Sequence, residues 1–210
     1  MLPENESSHF FQIGEKEINH LKSCCPKLGA AIERIGPYQR QIWPDVFEAL
    51  CLSIIGQQIS VKAARTVSQR FAKAVGEITP ENIMRRRNTT LQKCGMTMKK
   101  AEYIKGIART AHAKDIDFTQ LHLLSDQEII DSLTELKGVG VWTVEMLLIF
   151  SLQRPNVLSF GDLAIRRALM KLHGHKEITK PIFARYQKRY SPYATTASLY
   201  LWAIAGEGIS

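Results

Sequence analysis

Two glycines, a tryptophan and an aspartate carry the chemistry in the middle of this sequence. In LTELKGVGVWTVEMLLIFSLQRPNVLSFGDLAIRRAL, residues 133 to 169, Gly138 and Gly140 flank one valine, Trp142 follows, and Asp162 stands at the head of DLAIRRAL. A Gly-x-Gly turn between two helical patterns aims backbone N–H groups outward, and the second helix adds its positive end. An anion such as phosphate can then be gripped without any side chain. The same residues also suit an ordinary tight turn between antiparallel helices. Asp162 is either a plain helix cap or a carboxylate held for reaction, since helix N–H groups and the dipole favour its ionised form. Trp142 and Trp202, inside helical patterns, suit core packing.

The surrounding chain is basic. Lysine and arginine number 28 against 20 acidic residues, a formal charge of +8, and such an excess gains affinity for phosphates through counterion release. Nucleic acid fits better than a membrane surface, because no helical pattern joins a basic face to a strongly apolar one. Apolar runs such as MLLIF at 146 to 150 fall far short of the roughly 20 residues that span a bilayer. The opening MLPENESSHFFQIGEKE is polar and acidic, without the positive and apolar regions of a secretory signal. An intracellular protein is expected, cytoplasmic or with the nucleoid in a bacterium and nuclear in a eukaryote. Cys24, Cys25, Cys51 and Cys94 match no zinc spacing, and the adjacent pair is poorly placed for a disulfide. Reduced thiols and no side-chain metal site are expected.

Helical signals recur and alternating strand patterns are nearly absent, so an all-α fold is expected. WPDVFEALCLSIIG opens a helix after Pro44, with Val46, Phe47, Leu50, Ile54 and Ile55 apolar and Gly56 as its stop. SVKAARTVSQRFAKAVG follows, capped by Ser60, with Ala64, Val67, Phe71 and Ala74 on one face and Gly76 past its end. The two meet at GQQIS. Thr79 and Pro80 start a short helix, and Met98, Ala101, Ile104, Ile107 and Ala111 mark another. Ser125 with Glu128 forms a capping box whose helix runs to Leu136, where the glycines break it. A helix from about Val141 to Leu152 ends before Arg154-Pro155. After those led by Asp162 and by TKPIFARYQKRY, a last one is capped by Ser191, with Pro192 at its first position and Gly206 at its close. Two helical lobes around a groove suit this order, one from about residue 40 to 155 and one from residues 1–39 with 156–210.

LKGVGVWT followed by Asp162 resembles the helix-hairpin-helix DNA glycosylases, the HhH-GPD superfamily, whose signature continues through a glycine- and proline-rich loop to a catalytic aspartate. The likeness takes in the apolar residue before the hairpin, Gly138, Gly140, Thr143 and the interval from Trp142 to Asp162. It departs at Lys137, where many members carry proline, and around Gly161, where proline is frequent; neither position bears a reacting group. FEALCLSIIGQQIS, 47 to 60, resembles the family's duplex-penetrating segment, and SPYATTASLYLW, 191 to 202, resembles its closing helix. The resemblance covers roughly residues 20 to 208 and implies two lobes around a DNA-binding groove.

It also implies a branch. Bifunctional members place a nucleophilic lysine just after the hairpin, where this chain has Trp142, and relatives of endonuclease III often carry four late cysteines for an iron–sulfur cluster, whereas none here follows Cys94. A monofunctional glycosylase without such a cluster is expected, similar to the 3-methyladenine DNA glycosylase II branch. Its residues ahead of the first core helix are too few for the β-rich domain that some relatives carry, which implies a compact form. In that branch aromatic residues line the base pocket, so Trp142 and Trp202, with Met146 and Tyr200, would hold an alkylated purine such as 3-methyladenine or 7-methylguanine, whose positive charge an aromatic face attracts. Asp162 would stabilise the oxocarbenium-like sugar and orient water.

Gln58 would fill the gap left by the flipped base while Gln57 supports its turn, although two loop glutamines also suit plain solvent contact. Gly138, Gly140 and Thr143 would meet phosphate. Backbone carbonyls of Thr134, Leu136 and Val139 would hold a monovalent cation. Arg85, Arg86, Arg87, Lys93, Lys99 and Lys100 either grip flanking phosphates or form a solvated surface. The expected partner is damaged double-stranded DNA met by a monomer. The alternatives left open are a glycosylase for another damaged or mismatched base and a non-catalytic DNA-binding protein.

Overall fold

A computed structural model describes residues 10–206. The acidic opening, through His9, and residues 207–210 lie outside the described residues. In chain order the α-helices are α1 (Glu15–Cys24), α2 (Pro26–Ile35), α3 (Val46–Gly56), α4 (Val61–Val75), α5 (Pro80–Arg85), α6 (Asn88–Gln92), α7 (Met98–Ala113), α8 (Asp126–Thr134), α9 (Val141–Phe150), α10 (Leu163–His173), α11 (Lys180–Tyr190) and α12 (Ala194–Gly206). Among the described residues no strand forms, and the β-type pairing is one isolated bridge between Phe10 and Gln41. The all-α expectation holds. The helices group into two compact units, residues 43–147 and residues 10–42 with 148–206.

In the first unit α3 is buried almost all round, at Val46, Phe47, Ala49, Leu50, Cys51, Leu52, Ile54 and Ile55, as befits the helix at a core's centre. Each such leucine or isoleucine contributes about 1.5–3 kcal/mol on leaving water. Helix α7 packs against α3, α5 and α6, and α4 packs against α3 and α6. Side-chain caps set where these helices begin: Asp45, Ser60, Thr79, Thr97 and Ser125 each accept a backbone N–H three residues on. The buried stripe of α4 is Ala64, Val67, Ser68, Phe71 and Val75, with Val75 in the place expected of Ala74.

Two helices stop sooner than apolar spacing predicts. Helix α8 ends at Thr134, because Leu136 N–H turns back three residues to Leu133 O. Helix α9 ends at Phe150, after which Gln153 takes φ +53° and Arg154 N–H returns to Leu148 O. Leu136 and Leu152 continue the apolar rhythm beyond the last helical bond.

In the second unit α1 pairs with α2, α10 pairs with α12, and α12 also meets α1, α2 and α11. Leu21, Leu28, Ile165, Leu169, Phe183, Tyr190, Leu201 and Ile204 belong to its core. The expected start of the last helix is corrected. Ser191 closes α11, its N–H bonded to Gln187 O, and α12 begins at Ala194. The cap comes from a distant loop: Asn156 Oδ1 accepts Ala194 N–H at 3.4 Å and Pro155 O accepts Thr195 N–H at 3.0 Å. Thr195 Oγ1 completes the clasp, donating to Arg154 O while accepting Val157 N–H. A tertiary partner therefore does what Ser191 and Pro192 were expected to do locally.

Candidate functional site

The hairpin is built in the first unit from a capped start and a turn that requires glycine. Ser125 and Glu128 cap α8 reciprocally, with Ser125 N–H donating to Glu128 Oε2 at 2.8 Å and Ser125 Oγ accepting Glu128 N–H at 3.3 Å. After α8, Val139 N–H bonds to Leu136 O and α9 starts with Val144 N–H on Gly140 O. Geometry thus leaves the first three N–H groups of α9 outside its helical ladder, pointing along the axis at the positive end.

The two glycines do different jobs. Gly138 has φ +88°, and a Cβ there would stand 2.3 Å from Tyr103 Cδ2, so both backbone and neighbour demand glycine. Gly140 lies outside the left-handed region and a Cβ would meet nothing within 4 Å. No protein atom requires glycine there, and its open side suits a group approaching from outside.

Trp142 is 45% exposed and Val141 51%, so Trp142 is not core packing. Met146 is half-buried. Thr143 is only 4% exposed, so its side chain is turned into the protein and a contact with DNA would fall to the backbone at the third position of α9.

The α3–α4 loop carries the glutamines. Gln57 Nε2 donates to Gly138 O at 3.0 Å, tying the loop to the hairpin. Gln58 takes φ +57°, an uncommon conformation for a residue with a side chain, and Ile59 beside it is 40% exposed. Of the basic run, Arg85, Arg86, Arg87, Lys93 and Lys99 are exposed. Lys100 is not free for phosphate, because its Nζ donates to Ile55 O and Gln57 O. Burial pulls its pKa below the usual lysine range. Sequence gave no sign of this, since Lys99 and Lys100 differ only in register on α7.

In the second unit Asp162 caps α10, with Oδ1 accepting Ile165 N–H at 3.0 Å. The plain-cap alternative is thus part of the answer, but burial sets this cap apart. Asp45 caps α3 in the same way and is exposed, whereas Asp162 is 8% exposed. A carboxylate withdrawn from water is rare without a specific reason. The cap fixes its direction.

Trp202 is half-buried and stacks on Phe150, centroids 5.6 Å apart at 25°. Arg40 Cζ lies 5.6 Å from the Phe150 centroid and 5.8 Å from that of Trp202, a guanidinium that sequence reasoning missed. Tyr200 does not fit the pocket role expected of it. It is 2% exposed, its hydroxyl donates to Gly36 O at 3.2 Å, and burial raises its phenol pKa. A ring so covered offers no face to a base.

The family model described as HhH-GPD superfamily base excision DNA repair protein matches residues 51–192. DNA-3-methyladenine glycosylase 1 of Schizosaccharomyces pombe is 36% identical over 163 residues, covering 75% of this chain and 72% of that protein. A solved DNA-3-methyladenine glycosidase from Bacillus halodurans matches with a TM-score of 0.84 at 33% identity, over 96% of this chain and 94% of its own. The solved 3-methyladenine DNA glycosylase of S. pombe in complex with abasic DNA matches with a TM-score of 0.79 at 32% identity, over 89% of this chain and 95% of its own.

Proposed function

The chain belongs to the HhH-GPD superfamily of base excision DNA repair proteins, and on that premise we propose that it is a monofunctional DNA glycosylase hydrolysing the N-glycosidic bond of alkylated purines in duplex DNA. The buried, direction-fixed carboxylate of Asp162 carries this reading. As the bond to the base breaks, the sugar takes on oxocarbenium character. An ionised Asp162 stabilises that charge, orients the attacking water and accepts its proton. Glycoside hydrolysis generally needs a second carboxyl to protonate the leaving group. A 3-methyladenine or 7-methylguanine base is cationic and leaves as a neutral species, so one carboxylate suffices.

The hairpin supplies the grip. The open side of Gly140 and the positive end of α9 suit a phosphate oxygen, a contact that positions the duplex without reading its sequence. Trp142, exposed where bifunctional members carry lysine, offers a face for stacking and no amine for a Schiff base. Gln58 is assigned to the gap that the flipped base leaves. One chain carries both the hairpin and Asp162, so a monomer acting on damaged duplex DNA is sufficient. A monovalent cation at the hairpin belongs to the same proposal. Leu136 O already accepts Val139 N–H and retains one lone pair for such an ion. A cation held there would offset part of the negative charge of the phosphate.

One observation favours a wider lesion range. Arg40 already lies over Phe150 and Trp202, so the attraction of Trp202 for a cationic base is partly taken up within the protein. The test is a panel of duplexes bearing cationic methylpurines or neutral damaged bases, with released base and strand breaks measured separately. Release of methylpurines with the sugar–phosphate strand unbroken and no borohydride-trapped adduct is expected. Release of neutral lesions beside the methylpurines supports the wider range, release confined to neutral lesions contradicts the alkylpurine reading, and a trapped adduct or nicked strand contradicts the monofunctional assignment.

A further inference from the structure

Two side chains one turn apart on α7 bind together the α3–α4 loop and the hairpin. Lys100 Nζ donates to Ile55 O at 2.8 Å and also to Gln57 O. These carbonyls close α3, where unpaired C=O groups and the negative end of the dipole favour a cation. Gln57 is held from its side chain as well, by the bond from Nε2 to Gly138 O. The next residue, Gln58, stays in the left-handed region. Three residues after Lys100, the Tyr103 ring lies behind Gly138, so close that no Cβ would fit. Lys99 Nζ, 5.8 Å from the same ring's centroid, remains exposed.

We propose that Lys100, backed by Tyr103, is a positioning residue that locks the loop bearing Gln58 to the hairpin, so that both meet duplex DNA as one rigid piece, and that Lys100 itself touches no phosphate. The DNA half of this statement rests on the roles proposed above for loop and hairpin; the locking half does not.

The test uses Lys100→Met, which keeps the apolar stem and removes the donor, beside Lys100→Arg, which restores a cation. Amide hydrogen exchange on the DNA-free protein reads the lock. Exchange about tenfold faster in Lys100→Met at both 57–60 and 138–141, with α5 and α8 unchanged and Lys100→Arg closer to wild type, is expected from the loss of the two part-buried charged hydrogen bonds of Lys100. Unchanged exchange in either segment, or faster exchange throughout the unit, overturns the proposal. Affinity is then measured for a duplex with a tetrahydrofuran abasic analogue and for its undamaged counterpart over a range of salt. Positioning predicts that the preference for the abasic duplex falls about tenfold, that the salt slope stays that of wild type, and that Gln58→Ala adds nothing further in the double variant. Equal weakening on both duplexes with the slope reduced by about one marks a phosphate contact and overturns it. A wild type indifferent to the abasic site refutes the DNA role of the loop and leaves the exchange result to decide the lock.

Discussion

Replacing Gly138 by alanine adds one methyl group at φ +88°, in the space where Tyr103 Cδ2 is 2.3 Å from the new atom. The backbone term costs about 1–2 kcal/mol and the overpacking about 1–3 kcal/mol. Tyr103 is half-buried and its ring can yield a little, which places the sum near 3 kcal/mol on the same scales. At about 2–4 °C per kcal/mol for a chain of this size, Tm falls by roughly 6–12 °C. Gly140→Ala is the control: it has neither a positive φ nor a neighbour within 4 Å, so its stability stays within about 0.5 kcal/mol of wild type. Thermal and urea unfolding followed by circular dichroism measure both. Adding Tyr103→Leu to Gly138→Ala should recover the overpacking part and leave the backbone part. A Gly138→Ala protein that melts with the wild type, or a Gly140→Ala protein that loses as much as Gly138→Ala, refutes this account of the turn.

Trp142→Ala weakens binding to lesion-bearing duplex by about 1–3 kcal/mol, the worth of one base–aromatic stack; equal affinity with and without the ring removes Trp142 from the base. Arg40→Ala should raise the selectivity for cationic over neutral lesions by freeing the Trp202 face, and a panel of duplexes showing no change contradicts that role for Arg40. Burial, assisted by Lys27, Arg189 and His175, lowers the His173 pKa from 6.5 to about 4. Unfolding takes up a proton between those values, so stability is level above pH 6.5, falls as pH drops toward 4 and levels again below. Tm against pH for His173→Gln should lack that limb, and a limb unchanged in the variant refutes the assignment.

Local chemistry was readable wherever the partners are close in sequence. Ser60, Thr79 and Ser125 cap the helices expected of them, since a cap and its N–H lie three residues apart. The start of α12 was not readable, because Asn156 and Pro155 supply its cap from almost forty positions away. Periodicity overshot α8 and α9 because it follows apolar side chains, whereas a helix ends where its hydrogen bonds turn back. Helices α1 and α2 went unread among the charged and small residues of the amino-terminal region. At the site, the hairpin and Asp162 were found by type and interval, but only three-dimensional packing separates buried Asp162 from exposed Asp45, exposed Trp142 from buried Tyr200, and internally bonded Lys100 from exposed Lys99.

Single-turnover release of 3-methyladenine from methylated duplex DNA by wild type and Asp162→Asn addresses the central claim most directly. Asparagine caps a helix as well as aspartate does, so α10 and abasic-duplex binding survive while the negative charge is lost. Removal of one preorganised electrostatic group typically costs about 10²–10³ in rate, and a fall of that order with Tm and binding intact is the predicted result. Release by Asp162→Asn within a few-fold of wild type would contradict it and reduce Asp162 to a helix cap.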